Sequence, residues 1–167
     1  MAKKEEDIKS ESLSTSQSAD ISTGNDYHIP VLLNETIEGL AIKPDGIYVD
    51  CTFGGGGHSK AILSQLSTNG RLYAFDQDED AKKNIPDDHR VIFIQQNFRH
   101  IQRFLRLENI TKVDGILADL GVSSHQFDEA DRGFSIRYNA DMDMRMDRRQ
   151  SATAFDIIQQ YPEAKLH

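Results

Sequence analysis

The chain has 167 residues, a formal net charge of −8, and 38% hydrophobic and 8% aromatic residues. That length holds one domain with a proper core, and no apolar run approaches the roughly 18 residues that a membrane span needs. The acidic balance excludes simple sequence-independent nucleic-acid binding, which needs a basic surface. A lone cysteine, Cys51, excludes an internal disulfide and fits a reducing compartment.

Residues 1–26 are polar and Ser-rich, carry −3 of the net charge, and contain too little apolar material to bury. They read as a disordered tail. The N-terminus lacks the apolar core of a signal peptide, which points to the cytoplasm. Pro30 then opens a predicted helix whose Leu33, Ile37 and Leu40 share one apolar stripe. Pro44-Asp45-Gly46 is a turn signal, and Ile47 to Cys51 reads as a short buried strand. A glycine cluster follows, then a helix from Ser59 to Leu66 ended by Asn69-Gly70. The second strand runs from Arg71 to Phe75 and closes on Asp76. A short polar helix around Glu79 to Asn84 leads to a third strand, Val91 to Ile94. An amphipathic helix around Ile101, Phe104 and Leu105 covers the sheet, and the fourth strand, Val113 to Ala118, ends on Asp119. This alternation predicts an α/β fold: a parallel sheet with helices on both faces. In such sheets ligands sit at the carboxyl ends of the strands, where strand order reverses.

The unusual residue clusters all lie at those ends. Thr52-Phe53-Gly54-Gly55-Gly56-Gly57-His58 leaves the first strand and enters a helix. Its glycines let the backbone approach a ligand, and the helix N-terminus offers N–H groups to a carboxylate or phosphate. Gly57-His58-Ser59-Lys60 is wrong for a phosphate-binding P-loop. The third glycine of a dinucleotide fingerprint is also missing, its slot falling on Ser59 or Lys60. Asp76, twenty residues after Gly56, is placed to accept hydrogen bonds from the ribose hydroxyls of an adenosine. An acid there also fits a helix cap, a role for which Asp78 is the better candidate. Phe98 after the third strand reads either as a wall for an adenine ring or as a core residue of the next helix.

After the fourth strand about thirty residues pass before a helix begun by Ser151, and a loop that long is seldom idle. Its Asp141-Met142-Asp143-Met144-Arg145-Met146-Asp147 alternates methionine with charge, placing the three methionines on one face of an extended segment. That face suits an irregular ligand or the packing of a half-buried strand. The acids Asp141, Asp143 and Asp147 lack the glycine and terminal glutamate of a calcium loop, and the six histidines show no ligand spacing, so no metal is expected.

Several long stretches together resemble one family. His28-Ile29-Pro30-Val31-Leu32-Leu33-Asn34-Glu35 and Asp50-Cys51-Thr52-Phe53-Gly54-Gly55-Gly56-Gly57-His58-Ser59 are similar to segments of the bacterial small-subunit ribosomal RNA cytosine-N4 methyltransferases. So are Asp119-Leu120-Gly121-Val122-Ser123-Ser124, Asp131-Arg132-Gly133-Phe134-Ser135 and Met142-Asp143-Met144-Arg145-Met146-Asp147, in order and in spacing. The resemblance implies a Rossmann-like class I methyltransferase fold with an inserted helical domain. It implies S-adenosylmethionine as cofactor and a decoding-centre cytidine of 16S ribosomal RNA as substrate, with no DNA or membrane partner. By position, the family's cofactor contacts fall on Gly56, Gly57, His58, Asp76, Phe98, Asp119 and Gln126. Cys51 stands where the family usually has glycine, and His125 where it usually has proline.

On this resemblance residues 27–137 are the first half of the cofactor domain, and 138–167 a loop with the start of the inserted helical domain. The family's chains are about twice as long, so the sheet is expected to be truncated after strand four, leaving an exposed edge prone to self-association. Many amino-methyltransferases carry Asp/Asn-Pro-Pro-aromatic after strand four. Asp119-Leu120-Gly121-Val122 stands here instead, which leaves Asp119 as the best catalytic candidate without naming a general base. The alternatives are a truncated, inactive cofactor-binding fragment and a nicotinamide- or flavin-binding oxidoreductase, the latter weakened by the missing third glycine.

Overall fold

The computed structural model describes residues 30–166. The expected disordered tail and the His28-Ile29 end of the first family stretch lie outside the described residues.

Helix α1 spans Leu33–Leu40, strand β1 Ile47–Asp50, helix α2 Gly57–Gln65 and strand β2 Arg71–Phe75. A 3-10 helix at Glu79–Asn84 leads to β3, Val91–Ile94. A second 3-10 turn at Phe98–His100 runs into α3, Ile101–Leu107, and β4 covers Gly115–Leu117. Beyond β4 come α4 at Ser124–Asp128, a 3-10 turn at Ala130–Arg132, α5 at Ala154–Gln160 and α6 at Glu163–Leu166. The four strands form one parallel sheet in the order β3-β2-β1-β4. Order therefore reverses between β1 and β4, which opens a crevice at their carboxyl ends.

Side-chain alternation along the strands divides the core between two faces. Tyr48 and Leu72 pack with Ile62, Leu63 and Leu66 of α2 and with Ile37 and Leu40 of α1. Val49, Tyr73, Phe75 and Ile94 pack on the other side against Ile101, Phe104 and Leu105 of α3. There the Phe75 and Phe104 rings meet edge to face, with centroids 6.1 Å apart. This is a Rossmann-like arrangement, with helices on both faces as the alternation of elements predicts.

The structure changes several local expectations. Pro30 does not open α1: the helix starts three residues later, after Leu32 in the left-handed region at φ 51°. β1 and β4 are shorter than expected, ending at Asp50 and Leu117. The stretch after β4 contains helix α4, held by a capping box between Ser123 and Gln126. The later helix starts at Ala154 with Thr153 as its cap, not at Ser151. The methionines do not share a face either. Met144 adopts φ 56°, which breaks the alternation, so Met142 and Met144 are exposed while Met146 turns inward. The intervening acids pair locally instead, Asp143 with Arg145 and Asp147 with Arg149. Helices α5 and α6 bury no residue. Among the described residues, no helix is long and apolar enough to cross a membrane.

Candidate functional site

β1 delivers Asp50 to the base of the glycine loop. Its carboxylate accepts the Thr52 N–H at 3.0 Å and the Ser59 hydroxyl at 2.7 Å, tying the start of the loop to the first turn of α2. Asp50 is 1% exposed, and burial pushes its carboxyl above the usual range, partly countered by those two donors. Between these anchors the loop turns tightly. Gly56 caps α2 at φ 74°, a conformation in which a Cβ is strained, and its N–H donates to Phe53 O at 2.7 Å.

Asp76 follows β2 directly. One carboxylate oxygen accepts the Gly54 N–H at 2.8 Å and the other the Asp78 N–H at 2.9 Å. Across the loop, the Asn84 amide donates to Gly54 O at 2.9 Å. Burial raises the Asp76 pKa above its usual value, while the backbone donors pull it back. A carboxylate has about four lone-pair sites, so acceptor capacity remains for an external donor. Asp78 caps the 3-10 helix through the Asp80 N–H, the role its position suggested.

His58, the second residue of α2, is buried, with Nε2 3.2 Å from the carbonyl oxygen of Val31. That oxygen can only accept, so Nε2 carries the proton in this contact. Phe98 starts the 3-10 turn after β3 and belongs to neither core cluster; it is 37% exposed. Asp119 lies exposed beyond β4, its N–H donating to Thr52 Oγ1 at 2.8 Å. Gln126 is buried in α4. Its amide donates to Asp78 Oδ2 at 2.8 Å and its oxygen accepts the Ser123 N–H at 3.1 Å.

A cavity of about 940 Å³ lies at the point where strand order reverses, and Gly57, His58, Asp76, Phe98, Asp119 and Gln126 all line it. Gly54, Gly55, Gln77 and Met146 join them. Gly56 stands behind this wall, where it sets the turn. The volume sits at the upper end of the range for small-molecule sites, about 300–1,000 Å³.

Residues 25–167 match the model of the MraW methylase family. The chain belongs to that family. Among curated proteins it is 62% identical over 135 residues to ribosomal RNA small subunit methyltransferase H of Flavobacterium psychrophilum, covering 81% of this chain and 46% of that protein. The protein of the same name from Flavobacterium johnsoniae is 58% identical over 146 residues, covering 87% and 48%. The chain thus spans about half the length of the curated relatives it matches. A solved rRNA methylase of Streptococcus thermophilus overlaps 47% of this chain and 51% of its own, at 24% identity and a TM-score of 0.39, too slight a likeness to carry any argument. Membership of a methylase family removes the oxidoreductase reading.

Sequence reasoning missed the scaffold behind the cavity. Arg132 is 1% exposed and pairs with Asp78 at 2.6 Å and Asp80 at 3.2 Å. His125 lies 3.4 Å from the same Asp80, whose carboxyl is held below the usual range chiefly by Lys83 and also by His125. The capping box of α4 was legible as Ser123 followed three residues later by Gln126. Nothing local in the sequence separates Arg132 from a solvated surface charge.

Proposed function

We propose that this chain supplies the S-adenosylmethionine-binding half of a methyltransferase acting on the N4 amine of a cytidine in the decoding centre of 16S ribosomal RNA, in the cytoplasm. The observation that carries the cofactor reading is convergence: six residues from five separate segments meet on one cavity at the switch point of a parallel sheet. The substrate reading rests on family membership, on the relatives' names and on the quoted motifs. In the same reading residues 27–137 are assigned to the first half of the cofactor domain, and 138–167 to a loop and the start of an inserted helical domain. Helices α5 and α6, which bury nothing, support that division.

The residues fit the cofactor's chemistry. Asp76, with acceptor capacity left, accepts from the ribose hydroxyls, and Phe98 offers the adenine an apolar wall. The loop before α2 brings backbone N–H groups toward the cofactor's carboxylate. Asp119, its backbone held by Thr52, faces the methionine or ribose end. When bound, S-adenosylmethionine supplies an electrophilic methyl on its sulfonium sulfur. The cytosine amine is a poor nucleophile because its lone pair is delocalised into the ring. The protein's task is therefore to hold a flipped base in line with the methyl. Gly121 to Gln126, Asp128 and Met146 border the cavity where that base would dock.

Calorimetric titration of the whole protein with S-adenosylhomocysteine and, separately, NAD tests the cofactor. Binding of the first alone is expected, and Asp119→Ala should abolish it. Intact affinity with lost turnover in that variant would move Asp119 to a catalytic role. Methylation of small ribosomal subunits should place the label on a cytidine N4, and label on another atom would overturn the substrate assignment.

A further inference from the structure

We propose that Arg132 is a positioning residue for the cofactor site: through Asp78 it fixes both the acid that closes β2 and the amide of Gln126. The proposal rests on reading the cavity as an S-adenosylmethionine site. Arg132 does not line the cavity, so it acts only through residues that do.

A buried guanidinium is unfavourable unless its donors are satisfied. Here Nη2 contacts Asp78 Oδ2 at 2.6 Å and donates to Arg145 O at 3.0 Å, while Nη1 donates to Asp80 Oδ2 at 3.2 Å. The Phe134 ring lies 6.0 Å from the guanidinium carbon. Other arginines behave differently. Arg90, Arg145 and Arg149 each pair with the acid two residues earlier, and their side chains keep 19%, 23% and 50% exposure. Arg132 instead reaches acids more than fifty residues away in sequence and is sealed from water.

What it holds is the wall of the cavity. Asp78 Oδ2 is shared between Arg132 Nη2 and the Gln126 amide at 2.8 Å. The Asp78 N–H donates in turn to Asp76, which grips the glycine loop through Gly54. The bond to Arg145 O anchors the stretch that turns Met146 into the cavity, where its sulfur meets the Gln77 amide at 3.3 Å. One guanidinium thus sets the relative position of the β2 loop, α4 and the methionine segment. A lysine keeps the charge but cannot fork to both acids.

The test titrates S-adenosylhomocysteine into the whole protein and three variants, with the melting temperature of each recorded. The variants are Arg132→Lys, Arg132→Gln and Arg90→Met. Arg90 precedes β3 at the far end of the sheet, where it donates to Leu63 O and Leu66 O, so its loss is a structural control. Both Arg132 variants should weaken cofactor binding by roughly 10–100-fold, the penalty of misplaced binding groups. KM for S-adenosylmethionine should rise by the same factor, with kcat at saturation within about twofold. Arg90→Met should lower the melting temperature and leave affinity unchanged. Should Arg132→Lys fail to fold, Arg132→Gln decides. Wild-type affinity in folded Arg132 variants overturns the proposal, as does an equal loss of affinity in Arg90→Met. A wild-type protein that binds no S-adenosylhomocysteine overturns the reading of the cavity instead.

Discussion

Replacing Gly56 by alanine tests whether the turn into α2 is as tightly built as its geometry implies. At φ 74° and ψ 13° the residue is left-handed, a region that costs a side chain about 1–2 kcal/mol. A Cβ there would lie 3.0 and 3.1 Å from Phe53 ring carbons. Phe53 is 3% exposed and meets Phe93 edge to face at 5.4 Å, so its ring has little room to retreat. Overpacking of this kind adds about 1–3 kcal/mol, giving a total of roughly 2–5 kcal/mol. At about 2–4 °C per kcal/mol for a chain of this size, the melting temperature should fall on the order of 10 °C. Gly39→Ala is the matched control. Gly39 sits in α1 at an ordinary φ with nothing within 4 Å of its built Cβ, so alanine there should stabilise by about 0.5–1 kcal/mol. Thermal unfolding followed by circular dichroism at neutral pH reads both. A Gly56→Ala protein that melts with the wild type, or a Gly39→Ala protein that falls as far, refutes the reasoning.

Three further outcomes follow from the acids and the sheet edge. Burial raises the Asp50 pKa above its usual 3.8, so the native state holds that proton more tightly than the unfolded chain. Its contribution to stability is then greatest below pH 3.8 and declines as pH rises through the folded value. Asp50→Asn should flatten this decline in denaturant melts taken across acid to neutral pH, and parallel wild-type and variant curves would count against it. On the proposed reading the ionised Asp76 carboxylate accepts from both ribose hydroxyls, and burial shifts its pKa upward. Affinity for S-adenosylhomocysteine should therefore fall on acidification by about tenfold per pH unit below the Asp76 value, and Asp76→Ala should lose affinity at every pH. Strand β4 has no outer partner among the described residues and shows Ile116 54% exposed. The 167-residue chain should self-associate in sedimentation velocity, and Ile116→Lys should shift it toward monomer; unchanged association would clear this edge.

Much of the fold was legible because its signals are local. β2 and β3 are compact apolar runs bounded by turn residues, and their limits match the expected ones, Arg71–Phe75 and Val91–Ile94. Ile37 and Leu40 of the expected helical stripe pack on the core. The errors fall where tertiary contacts override pattern. Methionine alternation predicted an extended segment, but the backbone at Met144 reverses, and its N–H donates to Arg132 O at 3.0 Å.

The site divides along the same line. Residues that would touch a cofactor occupy strand ends and loop starts, positions that element order alone marks, so Asp76, Phe98 and Asp119 could be singled out from sequence. The residues that hold them cannot be marked this way, because their partners are distant in the chain. Asp78 reads as a helix cap and is one; nothing near it announces that its other oxygen joins Gln126 to Arg132. The acids beside the cavity make the physical reason plain. Asp50 and Asp76 are largely withdrawn from water, which disfavours their charged forms, and each offsets this with donors from a neighbouring segment. Those same hydrogen bonds fix the loops to one another. The burial that makes these carboxylates unfavourable is therefore what compels the contacts that shape the cavity, and a site built this way should lose ligand affinity at positions, Arg132 foremost, that never touch the ligand.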